Sequence, residues 1–386
     1  MTYLIDDSSD PAGGPEVHAL VIGVGRYRHL TNGAEPADHD TLIEGQLTSP
    51  TVSAQAFARW VMDCLRHPAA RLGSVDVLLS PGQVITEEDG LPMVETPDAN
   101  AVVRAVDRWV RRCNSHPENV ALFYFSGHGL DRGSQLLCLE DFARSSNRIL
   151  DAAIDLEDLV DGMAACDAAY QYYFVDACRE RTSRLSGLSR THTLALLDVV
   201  AESDRRERRK DLLVLPATNA GSSTYGTEHQ VSDYTRALLA ALNGQGAKLA
   251  PEGWCVTSLS LASAVARLCH GPMPLQVPTM NVSGNAVMHL LDHAPVVPLA
   301  VRCSPGEATR VADVHLTNVN DNTETLKLEF EARGEPVALR TTGRAGIYGV
   351  GVGFTDGQYL PPPQAPVHFF FPPEQLEYTV PVERAP

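Results

Sequence analysis

The sequence predicts an α/β domain built on a mostly parallel sheet, followed by a small all-β domain. Strand-like and helix-like segments alternate through the first three quarters of the chain, and two of the apolar runs end abruptly in small or polar residues. Helical periodicity disappears beyond Pro295. Alternation of strands with amphipathic helices is typical of a parallel sheet covered by helices on both faces. With 386 residues, the chain is long enough for two domains.

The elements of the first domain follow from two kinds of periodicity. Short β-rich apolar runs predict strands, and apolar residues repeated every three or four positions predict helices. In chain order we expect a strand at 17–24, a helix at 52–66, a strand at 74–79, a helix at 100–113, strands at 120–125 and 135–139, a helix at 156–165, strands at 172–175 and 212–216, and a helix at 232–242. Residues 1–14 are expected to form a tail, and residues 15–293 the domain.

The last ninety or so residues have a different pattern. Residues 326–331 alternate between apolar and charged side chains, and about six further β-like runs are separated by Gly and Pro. This arrangement predicts a small β-sandwich over residues 297–386. No catalytic pattern occurs in it, so we expect a sensing, binding or positioning domain, with a structural cap as the alternative.

Composition excludes several classes of function. The formal net charge is −17, from 31 basic and 48 acidic residues, which argues against nucleic-acid or anionic-membrane partners. The eight cysteines form no C-x-x-C pair, which favours reduced thiols over disulfides or a zinc site. No apolar run approaches the roughly 20 residues needed to span a bilayer. We therefore expect a cytoplasmic protein that needs no cofactor.

Two strand ends carry reactive side chains. One apolar run ends in Gly127-His128-Gly129, and another ends in Asp176-Ala177-Cys178. The carboxyl edge of a parallel sheet is where ligands bind in open α/β proteins. A thiol and an imidazole brought together there form a nucleophile and its base. Alone, such a cysteine is usually inert and such a His-Gly a turn, but their joint placement favours a catalytic pair.

These segments resemble the caspase-like cysteine peptidases. The histidine precedes the cysteine by fifty residues, as in the caspase signature. Asp176 and Glu180 replace the glutamine and glycine of that signature, and the aspartate makes the chain more similar to paracaspases and metacaspases. The resemblance covers roughly residues 15 to 291. It implies a caspase-like sandwich with a six-stranded sheet, catalysis by His128 and Cys178, and an oxyanion site formed by the backbone N–H groups of Gly129 and Cys178.

The same resemblance implies specificity for a basic residue before the cleaved bond. Paracaspases and metacaspases cleave after Arg or Lys, and they carry acidic residues in the S1 pocket. Asp176 occupies one such position, Asp38 falls near a second, and Ser223 stands where some paracaspases have a third. A carboxylate that caps backbone N–H groups is the alternative for Asp176, and simple solvent exposure is the alternative for Asp38. Arginine versus lysine preference stays open.

Residues 179–211 are expected to form a flexible, arginine-rich linker between two strands. In caspases the corresponding loop is the maturation site, so Arg206 and Arg209 are candidates for self-cleavage. A solvated run of charges is the alternative interpretation. Most of the segment is polar and charged, with a short apolar patch at 194–200.

The leading interpretation is therefore a cysteine endopeptidase that cleaves protein substrates after Arg or Lys. Its C-terminal domain or processing of its linker would control the activity, and calcium, a small nucleotide or a partner protein bound at that domain are candidate activators. Bacterial relatives with this organisation resemble effectors of antiviral defence and cell death. The alternative is a catalytically silent caspase-fold scaffold.

Overall fold

The computed structural model describes residues 2–4, 13–43, 45–82, 94–181, 185, 192–198, 209–217, 229–269, 281–319, 325–331, 337–372 and 376–386. Its contacts divide the chain into two compact units. One comprises Met1–Leu239 with Val265–His289, and the other comprises Ala240–Ala264 with Leu290–Pro386. None of the described helices has the length and apolar character required to cross a membrane.

Strands and helices alternate in the first unit, as the sequence predicts. In chain order they are β1 (Thr2–Leu4), β2 (Glu16–Val24), α1 (Ser49–Asp63), β3 (Arg71–Ser80), α2 (Ala99–Cys113), β4 (Val120–Gly127), β5 (Gly129–Asp131), β6 (Gln135–Cys138), β7 (Ala153–Asp155), α3 (Leu156–Gly162), β8 (Tyr170–Ala177), β9 (Asp211–Pro216) and α4 (Asp233–Ala240). Then come β10 (Ala247–Ala250) and β11 (Gly253–Thr257), which belong to the second unit, and α5 (Ser258–Cys269), which continues from the second unit into the first. They are followed by β12 (Asn281–Ser283) and β13 (Val287–Leu290).

The central sheet has the strand order β1-β3-β2-β4-β8-β9-β12. The five strands from β3 to β9 are parallel, and β12 pairs antiparallel with β9. These six strands confirm the predicted mostly parallel sheet. Thr2–Leu4, in the expected tail, adds a seventh strand antiparallel to β3. This pairing covers backbone groups that the edge of β3 would otherwise expose.

Helices cover both faces of this sheet. Tyr124 and Phe123 are neighbours on β4, so their side chains point to opposite faces. Phe57 of α1 stacks on Tyr124 with ring centroids 4.5 Å apart. Trp109 of α2 contacts Phe123 from the other side, at 6.3 Å between centroids. All four rings are fully buried. Burial on both faces explains why the central strands are continuous apolar runs.

The ten described C-terminal strands form two packed sheets of four strands each and one separate two-stranded sheet. They are β14 (Val296–Ser304), β15 (Ala312–Asn318), β16 (Thr325–Lys327), β17 (Glu329–Glu331), β18 (Ala338–Arg344), β19 (Gly346–Phe354), β20 (Tyr359–Leu360), β21 (Val367–Phe370), β22 (Glu377–Pro381) and β23 (Glu383–Arg384). One sheet has the order β17-β18-β14-β22 and the other β16-β15-β19-β21. Buried residues of both sheets share one hydrophobic cluster, as expected for a β-sandwich.

The single strand expected at 326–331 is in fact two strands in different sheets. β16 pairs with β15, whereas β17 pairs with β18. Between them Leu328 is buried, and its N–H donates to the carbonyl of Val314. Strands that bend and change sheets form the corners of sandwiches. Period-two alternation is the same on both sides of such a corner, so the sequence pattern does not reveal it.

Two positions on β14 test the sandwich core. Leu299 is fully buried, whereas Val296 on the same strand is 64% exposed. We expect Leu299→Ala to lower the free energy of unfolding by about 2–5 kcal/mol, because it leaves a cavity. Val296→Ala should change it by less than about 0.5 kcal/mol. Denaturant unfolding of both variants measures the difference, and equal effects would contradict the assigned core.

Candidate active site

The two strand ends singled out by the sequence are neighbours in the sheet. Strands β4 and β8 pair in parallel, with Ser126 opposite Asp176 and Gly127 opposite Ala177. His128 and Cys178 are the next residues on their strands. Neighbouring strands lie about 4.8 Å apart, so the backbones of these two residues leave the sheet side by side at one edge. His128 is buried, and Cys178 is a half-buried free cysteine.

The pairing continues beyond the two reactive residues. The N–H of Glu180 donates to the carbonyl of Gly129, and the N–H of Asp131 donates to the carbonyl of Glu180. The buried carboxylate of Asp131 also accepts from Arg181 at 2.9 Å and lies 3.5 Å from Arg179. The segments that carry the imidazole and the thiol are therefore tied together on both sides of the reactive pair.

The loop after β2 holds the imidazole. The His128 backbone N–H donates to the Tyr27 hydroxyl at 2.6 Å, and the two rings lie 4.9 Å apart. His128 Nε2 lies 3.2 Å from the carbonyl oxygen of Gly45. A carbonyl only accepts, so Nε2 carries the proton in this contact and the lone pair of Nδ1 is left to act as a base. Gln46 fixes the loop through two hydrogen bonds with the Tyr27 backbone.

Burial sets the protonation state of this histidine. Removal from water lowers the pKa of His128 below its usual value, and the hydrogen bond to Gly45 opposes this shift without cancelling it. The imidazole is therefore neutral at pH 7. A neutral imidazole accepts a proton from a thiol, which a protonated one does not.

Gly129 allows the segments that carry His128 and Cys178 to approach closely. A Cβ at this position would lie 2.3 Å from the carbonyl oxygen of Cys178, which is far inside van der Waals contact. A residue without a side chain is therefore required where the two main chains meet. The family resemblance implies an oxyanion donor at this same position, which stays a prediction.

Asp176 lies beneath this edge within a group of hydroxyls. Its side chain is buried, and its Oδ2 accepts from Ser126 at 3.2 Å, from Ser232 at 2.5 Å and from Thr235 at 2.9 Å. Ser232 also accepts from the N–H of Thr235 at the start of α4. Burial raises the pKa of Asp176, and the three hydroxyls oppose that rise. The observed partners are side-chain hydroxyls rather than the backbone N–H groups of the alternative interpretation.

The structure gives less information about the other predicted site residues. Asp38 is fully exposed and lies 3.5 Å from His39, so its carboxylate has none of the burial of Asp176. Arg209 is half-buried, with its guanidinium 3.5 Å from Gln171 Oε1. Ser223 and Arg206 lie outside the described residues. In the part of the chain that the structure covers, no group of three or more His, Cys, Asp or Glu side chains could hold a metal ion.

Several residues of this site were not found from the sequence. Tyr27, Gly45 and Gln46 act through a loop whose approach to His128 has no local signal. Ser126 and Ser232 are ordinary strand-end and helix-start residues in the sequence. A buried carboxylate requires hydrogen-bond donors. The burial expected for Asp176 was therefore the one indication in the sequence that hydroxyl groups lie near it.

The neutral state of His128 is directly measurable. We expect its imidazole to titrate with a midpoint below 6.5, because burial disfavours the protonated form. The measurement is the pH dependence of its NMR resonances in Cys178→Ala, which removes coupling to the thiol. A midpoint at or above 6.5 would show that the buried environment does not keep the imidazole neutral.

Comparison with known proteins shows the family. Uncharacterized protein y4kE of Sinorhizobium fredii (strain NBRC 101917 / NGR234) is 29% identical over 218 residues, which cover 55% of this chain and 58% of that protein. Caspase-1 from Spodoptera frugiperda aligns with a TM-score of 0.43 and 12% identity, over 75% of this chain and 100% of that chain. The chain thus aligns with less than two thirds of the Sinorhizobium protein. Residues 16–268, more than half of the chain, match the peptidase C14 caspase domain, and the chain belongs to this family.

Proposed function

We propose that the protein is a cysteine endopeptidase that cleaves protein substrates after Arg or Lys. The observation that carries the proposal is the parallel register of β4 and β8, which brings His128 and Cys178 to the same edge of the sheet. Membership of the caspase domain family supports the same reaction. The orientation of His128 by Gly45 supplies the base that such a reaction needs.

The proposed reaction follows from these groups. The Cys178 thiol gives its proton to His128, and the sulfur attacks the carbonyl carbon of the substrate. The oxyanion that forms is stabilised by the backbone N–H groups of Gly129 and Cys178. Collapse of this intermediate breaks the C–N bond, and the imidazolium returns the proton to the leaving amine. A water molecule then hydrolyses the thioester by the same route, which releases the acid and restores the thiol.

Asp176 supports specificity for a basic side chain. Within the described part of the chain its partners are the three hydroxyls, and it forms no ion pair with a cationic residue. A buried carboxylate without a cation is costly, and a substrate guanidinium or ammonium group would offset that cost. In this proposal Asp38 and Ser223 complete the S1 pocket.

Activity assays with variants test this function. We expect hydrolysis of fluorogenic peptides ending in Arg or Lys and none of those ending in Asp. Cys178→Ala should abolish hydrolysis. Asp176→Asn should lower kcat/KM for the basic peptides by roughly 100-fold or more, because the substrate cation loses its buried partner.

Asp211→Asn is the matched control for Asp176→Asn. Asp211 is also a buried aspartate, with hydrogen bonds from the Tyr172 hydroxyl and the Ala286 N–H, but it begins β9 at the opposite end of the sheet. It should alter thermal stability without altering peptide preference. Preference for Asp peptides would contradict the basic specificity, and no hydrolysis of any peptide would favour a silent scaffold.

We further propose that cleavage of the 179–211 linker regulates the enzyme. Arg209 is half-buried, and the N–H of the next residue, Lys210, donates to the carbonyl of Ala169. Cleavage after Arg209 therefore requires this contact to open, which favours Arg206 among the two candidates. Gel analysis of purified protein should show a cut chain for the wild type and an intact chain for Cys178→Ala and Arg206→Ala. Intact bands for all three would contradict self-cleavage.

The C-terminal sandwich is proposed to control activity by binding a partner protein, calcium or a small nucleotide. Adding each to the peptide assay tests this, and an unchanged rate with all of them would contradict it. A role in antiviral defence or cell death rests on the family resemblance. Phage challenge of cells that carry the wild type or Cys178→Ala tests that role, and equal survival would contradict it.

A further inference from the structure

Gln135 lies directly against the main chain of the nucleophile. It begins β6, opposite Asp131 of β5, and its side chain is 3% exposed. Its Nε2 donates to the carbonyl oxygen of Ala177 at 3.1 Å and to that of Cys178 at 3.3 Å. The orientation of the amide follows from its surroundings, because a flipped amide would place Oε1 against two carbonyl oxygens.

The geometry of the peptide bond gives this contact a consequence. The carbonyl of Ala177 and the N–H of Cys178 belong to one planar trans peptide, and they point in opposite directions. A bond that holds the carbonyl on the side of Gln135 therefore holds the N–H on the other side. That N–H is one of the two donors expected to bind the oxyanion. The hydrogen bond to the Cys178 carbonyl fixes the following peptide in the same way.

We propose that Gln135 is a positioning residue for the oxyanion site, which it sets by fixing the peptide between Ala177 and Cys178. The inference rests on the proposed peptidase function. An oxyanion donor contributes most when its direction is fixed before the reaction. Without the amide of Gln135, this peptide and the next each lose a hydrogen bond that holds their orientation, and the direction of the Cys178 N–H is less well fixed.

A second buried glutamine provides a matched control. Gln171 of β8 is 1% exposed, and its Nε2 donates to the carbonyls of Met163 at 3.0 Å and Ala168 at 3.3 Å. It makes the same kind of double contact, but it lies near the start of β8 whereas Cys178 follows its end. Gln135→Met and Gln171→Met each remove an amide that serves two main-chain carbonyls. Gln171 Oε1 also accepts from the Tyr173 hydroxyl and the Arg209 guanidinium, so Gln171→Met carries at least the structural penalty of Gln135→Met.

The experiment compares two reactions of Cys178 in the full chain. Hydrolysis of the best Arg or Lys peptide passes through an oxyanion, whereas alkylation by iodoacetamide is a displacement at the thiolate and forms none. We expect Gln135→Met to lower kcat by about 10- to 100-fold and to leave KM and the alkylation rate within about threefold of wild type. Gln171→Met should leave kcat within about threefold, although its melting temperature should fall by at least as much as that of Gln135→Met.

A second variant keeps the test decisive if Gln135→Met does not fold. In Gln135→Glu the shape is preserved, but an ionised carboxylate has no donor for the Ala177 carbonyl, whereas the protonated acid has one. The ratio of its kcat to that of the wild type should therefore rise as the pH falls. A ratio independent of pH would overturn the inference.

The remaining outcomes distinguish the role of Gln135 from the proposed function. Equal losses of kcat in Gln135→Met and Gln171→Met, or an equal loss of alkylation and hydrolysis in Gln135→Met, would overturn the role in the oxyanion site. Both results require a wild type that hydrolyses the peptide, so the proposed function would stand in either case. A wild type that hydrolyses no peptide contradicts the proposed function itself, and the role of Gln135 falls with it.

Discussion

The parallel pairing of β4 with β8 is the constraint on which the candidate site depends. Its register places Gly127 opposite Ala177, and a shift of one residue would move one reactive side chain to the other face of the sheet. Both strands are buried throughout most of their length, so their apolar faces resist such a shift. The hydrogen bonds between Gly129, Asp131 and Glu180 extend the same register beyond the sheet. The positions of His128 and Cys178 at this edge are thus fixed by packing several residues away.

Burial has a second effect at this edge, since a buried polar group without a partner is costly. The loop that contains Tyr27 and Gly45 satisfies the main chain and the Nε2 of His128, while three hydroxyls satisfy one oxygen of Asp176. These contacts are worth more in a low-dielectric site than in water. They also fix orientation, because they hold the His128 imidazole and one oxygen of Asp176 in place. In the proposed reaction, these groups would therefore need little rearrangement when a peptide binds.

Much of the architecture is predictable from the sequence, because long buried strands and amphipathic helices leave strong periodic patterns. The apolar runs at 120–125 and 172–175 indicated both the sheet and the edge where His128 and Cys178 lie. The loop contacts were not predictable in this way. Gly45 reaches His128 across 83 positions of sequence, and such an approach depends on tertiary folding rather than local pattern. For the same reason, one alternating run at 326–331 gave no indication that its halves enter different sheets.

His128 can be recognised from a sequence motif, whereas Gln135 cannot. A motif marks side chains that meet the substrate, since their chemistry restricts the residue type. The amide of Gln135 donates to main-chain carbonyls, and a donor for a carbonyl can come from many residue types or from another part of the chain. Its contact with this peptide is visible only once the peptide plane of Ala177 and Cys178 is located. Residues that orient a motif from beneath it, as proposed for Gln135, are therefore identified from the structure and not from the sequence.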